Sequence, residues 1–149
     1  MSKDLAEKVV VIAASTGGPK SLQSVVPVFP ADLDAAVVII QHMPASFTNS
    51  LAVRLDSLSK IKVKEGEDGE YLKKGIVYIA KGGRHLFLKE VRKGVQKIVY
   101  SDEAPREGVR PCANYTYESL IHSHMKQIIC VVMTGMGSDG TVGIGALKE

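Results

Sequence analysis

Three residues in this sequence have the types and the placement that ester or amide hydrolysis needs. Ser15 opens the stretch Ser15-Thr16-Gly17-Gly18-Pro19, His42 sits in Gln41-His42-Met43-Pro44, and Asp139 sits in Thr134-Gly135-Met136-Gly137-Ser138-Asp139-Gly140. A serine hydroxyl becomes a useful nucleophile when an imidazole takes its proton, and a carboxylate holds that imidazole in the right tautomer. Each residue also has a plainer explanation. Ser15 fits a Ser/Thr-Gly-Gly turn that caps a helix or holds a phosphate, His42 a packed residue after a strand, and Asp139 a turn. Convergence of the three is what points to catalysis. The chain order Ser, His, Asp differs from that of the chymotrypsin, subtilisin and α/β-hydrolase sites, so it implies none of those folds.

Other chemistries fit less well. The pattern G-x-S-x-G is half met, with Gly17 present and Ala13 in the first glycine position. Gly17-Gly18-Pro19-Lys20-Ser21 ends like a phosphate loop, but a proline separates Gly18 from Lys20 and the Walker spacing fails. No His-x-x-x-His or Cys-x-x-Cys spacing occurs, so a zinc site is not expected, and hydrolysis through a serine needs no metal or other cofactor. His85 reads as structural, and His122 and His124 lie near a helical face with no carboxylate motif around them. The charges of Lys73-Lys74 and of Lys81 with Arg84 read as a solvated face.

The elements that would position the three residues follow from the apolar pattern. Residues 9–14, 35–40 and 128–133 are continuous β-branched runs, as expected of strands buried on both faces of a parallel sheet, and residues 76–80 form a fourth. In such a sheet ligands bind beyond the carboxyl ends of the strands, which is where Ser15, His42 and Asp139 follow their runs. Helical patterns separate the runs. One spans 19–26, with Pro19 favourable in a first turn and Pro27 ending it. A second carries Phe47, Leu51, Leu55 and Leu58 at steps of four, four and three. A third is capped by Asn114 and carries Tyr117, Leu120, Ile121, His124 and Met125. From 61 to 101 short strands alternate with turn signals at Asp68-Gly69, Gly82-Gly83 and Arg92-Lys93-Gly94, and 84–88 with 95–100 read as an antiparallel hairpin appended to the sheet. The fold class is therefore α/β: a three-layer, doubly wound, mostly parallel sheet with that hairpin.

Composition sets the outer bounds. The 149 residues are 45% hydrophobic and 23% charged, which suits one globular domain and excludes wholesale disorder. A domain of this length buries roughly 70% of its unfolded surface, enough for a core without staples. Two cysteines, Cys112 and Cys130, make no framework and read as reduced thiols of a cytoplasmic protein. The apolar runs are too short to span a bilayer. The net charge of +3 suits an acidic partner but is too small to argue for nucleic acid.

The same motifs carry a resemblance. Residues 12–19, then 41–44 with Phe47-Thr48, then 134–140 resemble, in order and spacing, the catalytic domain of the chemotaxis protein-glutamate methylesterase family, CheB. The likeness runs on through Val63-Lys64-Glu65, Glu67-Asp68-Gly69, Tyr78-Ile79-Ala80 and Arg110-Pro111. It implies a serine esterase that hydrolyses glutamyl methyl esters on chemoreceptor signalling helices, with deamidation of receptor glutamines as a second activity. Ser15 would be the nucleophile, His42 the base and Asp139 its partner, while Thr16 and the backbone of Met136 would help form the oxyanion site. The resemblance also implies that residues 1–149 are a single catalytic domain with no receiver domain, incomplete at its C-terminus, where the chain stops in a helix begun at Thr141. Self-association through that end is then expected. The reading from another class is a non-catalytic module whose glycine loops hold a phosphate, a nucleotide or a protein partner.

Overall fold

Runs of valine, isoleucine and alanine with no polar residue between them need cover on both faces, and the computed structural model supplies it. It describes residues 4–14, 18–102 and 111–133. In chain order the elements are β1 (Lys8–Ala14), α1 (Gly18–Val25) with a 3-10 turn over Val26–Val28, β2 (Ala36–Gln41), α2 (Ala45–Leu58), β3 (Lys62–Glu65), β4 (Ile76–Ile79), β5 (His85–Arg92), β6 (Val95–Ser101), α3 (Ala113–Glu118) and β7 (Gln127–Val132). Five strands form a wholly parallel sheet in the order β3-β4-β2-β1-β7. From β1 the chain winds outward through β2 on one side, and β7 joins later on the other. That reversal is the switch point of a doubly wound sheet.

The period of two divides the core cleanly. Ile12, Ala14, Val37, Ile39, Val77 and Ile79 turn to one face, where Leu22 of α1 and Leu51, Ala52 and Leu55 of α2 cover them. Val9, Val11, Ala13, Val38, Ile40 and Tyr78 turn to the other. There the cover is Tyr117 of α3 together with Leu86, Leu88, Ile98 and Tyr100 of the β5–β6 hairpin. The hairpin is its own two-stranded sheet. It is not an extension of the parallel sheet but part of the third layer, because its alternate residues Leu86, Leu88, Ile98 and Tyr100 need the same apolar partner. Its tight connection, Lys93-Gly94, relies on a left-handed residue, Gly94 at φ 79°.

Two helical expectations shift by a residue or more. In α2 the buried positions are Thr48, Leu51, Ala52 and Leu55, the i, i+3, i+4, i+7 set, while Phe47 and Leu58 are 54% and 48% exposed. A threonine faces inward because its hydroxyl finds partners there. In α3 the cap position is Cys112, and Asn114 lies inside the helix, fully buried. Pro111 and Cys112 are buried and Cys112 is extended, so the helix starts earlier than a polar cap at Asn114 requires. It ends at Glu118, and His122, His124 and Met125 follow it in a turn and irregular chain. Cys112 and Cys130 are free thiols. The helix expected from Thr141 lies outside the described residues.

Candidate active site

Because all five strands of the large sheet run the same way, their carboxyl ends share one edge. Along it, Ala14 of β1 is in register with Gln41 of β2, and Ala13 of β1 with Val132 of β7. The lacing continues past the strand ends. His42 N–H donates to the Ala14 carbonyl at 3.2 Å, and Met133 N–H donates to the Ala13 carbonyl at 2.8 Å. Three chain exits therefore sit side by side, about 4.8 Å between neighbouring strands. The exit of β2 is His42 itself. From the other two the sequence runs on to Ser15-Thr16-Gly17 and to Thr134–Gly140. Ser15, Thr16, Met136 and Asp139 lie outside the described residues, so the structure places His42 at the edge and fixes the ends of β1, beside it, and of β7, one strand further on.

The first turn of α1 lies against the same edge. A Cβ on Gly18 would come 2.2 Å from Gln41 Oε1 and 2.9 Å from Ala14 Cβ, so only glycine lets the helix begin this close to β1 and β2.

On the other side of His42, residues 43 and 44 run into α2 and touch the loop after β4. A Cβ on Gly82 would meet Met43 O at 2.3 Å and Pro44 C and O at 2.6 Å. Gly82 N–H donates to Thr48 Oγ1 at 3.1 Å, and the Thr48 hydroxyl lies 2.5 Å from Glu65 Oε2. One residue earlier the Tyr100 hydroxyl accepts from Lys81 N–H at 3.0 Å and donates to the Gly66 carbonyl at 2.7 Å. Burial pushes that hydroxyl's pKa up, so it stays protonated and keeps donating. Sequence spacing could not reveal this bracing. Thr48, Glu65 and Gly82 are separated by 17 and 34 positions, and Gly82 reads only as a turn residue.

His85 and His124 have structural partners. His85 is fully buried, its Nδ1 accepts from Cys112 N–H at 3.2 Å, and its ring stands edge-on to Tyr115 at 4.6 Å. His124 pairs with Glu90 through both its backbone N–H and its ring. Lys81 pairs with Glu67 and Arg84 with Asp102, each at 2.9 Å and partly exposed, which matches a solvated face. Among the described residues no cluster of three His, Cys, Asp or Glu side chains could hold a metal ion. Among them, too, no helix is long and apolar enough to cross a membrane.

Comparison with known proteins gives this edge a context. The family model described as CheB methylesterase matches residues 10–149. The "Protein-glutamate methylesterase/protein-glutamine glutaminase 1" of Syntrophomonas wolfei is 50% identical over 145 residues, which cover 95% of this chain and 41% of that protein. The "Protein-glutamate methylesterase/protein-glutamine glutaminase" of Bacillus subtilis is 45% identical over 137 residues, covering 92% of this chain and 38% of that one. This chain thus spans about two fifths of the length of the curated relatives it matches. The crystal structure of the Thermotoga maritima CheB methylesterase catalytic domain superposes with a TM-score of 0.89 at 45% identity, covering 95% of this chain and 74% of that one. With the parallel sheet, the histidine at the end of β2 and a match across nearly the whole sequence, this chain belongs to the CheB methylesterase family.

Proposed function

We propose that the chain is the catalytic part of a serine esterase that hydrolyses glutamyl methyl esters on chemoreceptor signalling helices, in the cytoplasm, with glutamine deamidation as a second reaction of the same site. The observation that carries this reading is His42 at the carboxyl edge, tied to Ala14 O, on the same edge as the ends of β1 and β7, the strands that precede Ser15 and Asp139 in the sequence. The names of the relatives support the substrate class.

The chemistry follows from the residue types. Ser15 Oγ attacks the ester carbonyl as His42 takes its proton, and the oxyanion is held by N–H groups of the Thr16 and Met136 loops. Asp139 orients His42 and stabilises the imidazolium. Methanol leaves with the proton from His42, giving an acyl-serine. Water, deprotonated by the same histidine, then releases the glutamate carboxylate. With a glutamine side chain the first leaving group is ammonia. The net charge of +3 favours encounter with acidic receptor helices, an effect that salt weakens.

Labelling separates this from a phosphate-binding or protein-binding module. A fluorophosphonate is expected to attach to Ser15, and a binding loop without an activated serine would resist it. Asp139→Asn is expected to lower kcat on the order of 10⁴-fold, since the imidazole would be held in the wrong tautomer. A kcat that barely moves would assign Asp139 to the turn alone.

A further inference from the structure

His42 is secured on its N-terminal side by the sheet, through its N–H to Ala14 O. What secures it on the other side is the contact of Gly82 with the Met43 and Pro44 peptides, close enough that a side chain could not fit between them. Gly82 is itself held by Thr48, in the first turn of the helix that Pro44 caps. The polarity of the chain of bonds is fixed. Gly82 N–H can only donate, so Thr48 Oγ1 accepts from it, and the single hydroxyl proton goes to Glu65 Oε2, far nearer at 2.5 Å than the Ala45 carbonyl at 3.4 Å. Thr48 has no exposed surface, so its hydroxyl relies on these protein partners and not on solvent. Glu65 ends β3, and the Gly66 N–H that follows bonds Ile79 O of β4, which anchors the far end of the chain in the sheet.

We propose that Thr48, Glu65 and Gly82 form a latch that fixes the Met43–Pro44 peptides and so sets the position of the His42 imidazole, making Thr48 and Glu65 positioning residues of the hydrolysis. This rests on the esterase reading for its catalytic consequence, but the geometry it asserts does not. A base displaced by about 1 Å can lose on the order of 10²-fold in rate, whereas substrate binding along a protein helix would be spread over many contacts. The latch therefore acts on kcat and not on KM.

The test compares Thr48→Val, Thr48→Ser and Glu65→Ala in the full 149-residue chain, with methanol release from a methylated receptor and the His42 Cε1–H resonance as readouts. Thr48→Val keeps the shape and removes the hydroxyl, and Glu65→Ala keeps the hydroxyl and removes its acceptor. Should Thr48→Val fail to fold, Glu65→Ala, at a half-buried site, decides. Each is expected to lower kcat about tenfold or more with KM within about twofold, and Thr48→Ser to stay within about threefold of wild type. Both losing less than about twofold, or Thr48→Ser falling as far as Thr48→Val, would overturn the latch. If the wild-type chain releases no methanol, the esterase reading fails and the resonance decides the latch. It is then expected to shift or broaden in Thr48→Val and Glu65→Ala but not in Thr48→Ser, and an unchanged resonance in all three overturns it.

Discussion

His42 is the one residue of the proposed catalytic group whose surroundings are described, and it sits where its sequence context predicts, one step past a buried strand. Its place was legible because a histidine after such a run must emerge at the carboxyl edge. The roles of Thr48 and Glu65 were not legible, since two hydrogen bonds joining β3, α2 and the loop after β4 leave no local pattern. Glu90 is a second case of a long-range partner. The His124 backbone N–H and then its ring hold the Glu90 carboxyl down, from the usual 4.5 to about 2. A carboxyl depressed by folding stabilises the fold above its unfolded pKa, and that contribution is lost as pH falls towards the folded value. Wild type is therefore expected to be more stable than Glu90→Gln above about pH 4.5, the two converging as pH approaches 2. Denaturant midpoints across pH 2–6 check this, and a constant gap across that range would remove Glu90 from the acid response.

Among the elements, the buried strands were the clearest from sequence. A run such as residues 35–40 must be covered on both faces, and it became β2 within one residue. Helix faces were less clear. The stripe through Phe47 and Leu58 gives way to one through Thr48, because hydrophobicity alone cannot anticipate a satisfied buried hydroxyl. The expected cap at Asn114 fails for a related reason: a polar side chain suited to a cap is buried inside α3 instead. The start of α1 provides an element-scale prediction. In an open helix, Gly→Ala stabilises by about 0.5–1 kcal/mol. At Gly18 the added methyl meets Ala14 Cβ at 2.9 Å and the end of the buried Gln41 side chain at 2.2 Å, and overpacking of this kind costs about 1–3 kcal/mol. Overpacking wins, so Gly18→Ala is expected to lower the melting temperature by several degrees. A melting temperature at or above wild type would mean that the helix start and the strand ends can separate without cost.

At the scale of the whole molecule, the fold is a parallel sheet with unlike layers, two helices on one face and a hairpin with a short helix on the other. Four of the five sheet strands followed from the four apolar runs, whereas β3, with its alternating Lys62-Val63-Lys64-Glu65, was read only as one of the short strands between 61 and 101. The hairpin was foreseen as a hairpin but not as a layer, because a two-residue turn predicts pairing and not what the pair packs upon. This asymmetry leaves the carboxyl ends of β2, β1 and β7 side by side on one edge, the edge on which the proposed esterase reading rests. The most direct test counts methanol released from chemoreceptor carrying methylated glutamates, by wild type and by Ser15→Ala. The account predicts steady release by wild type and a rate several powers of ten lower for Ser15→Ala, in a protein that melts as wild type does. Methanol release by Ser15→Ala within about tenfold of wild type would contradict it.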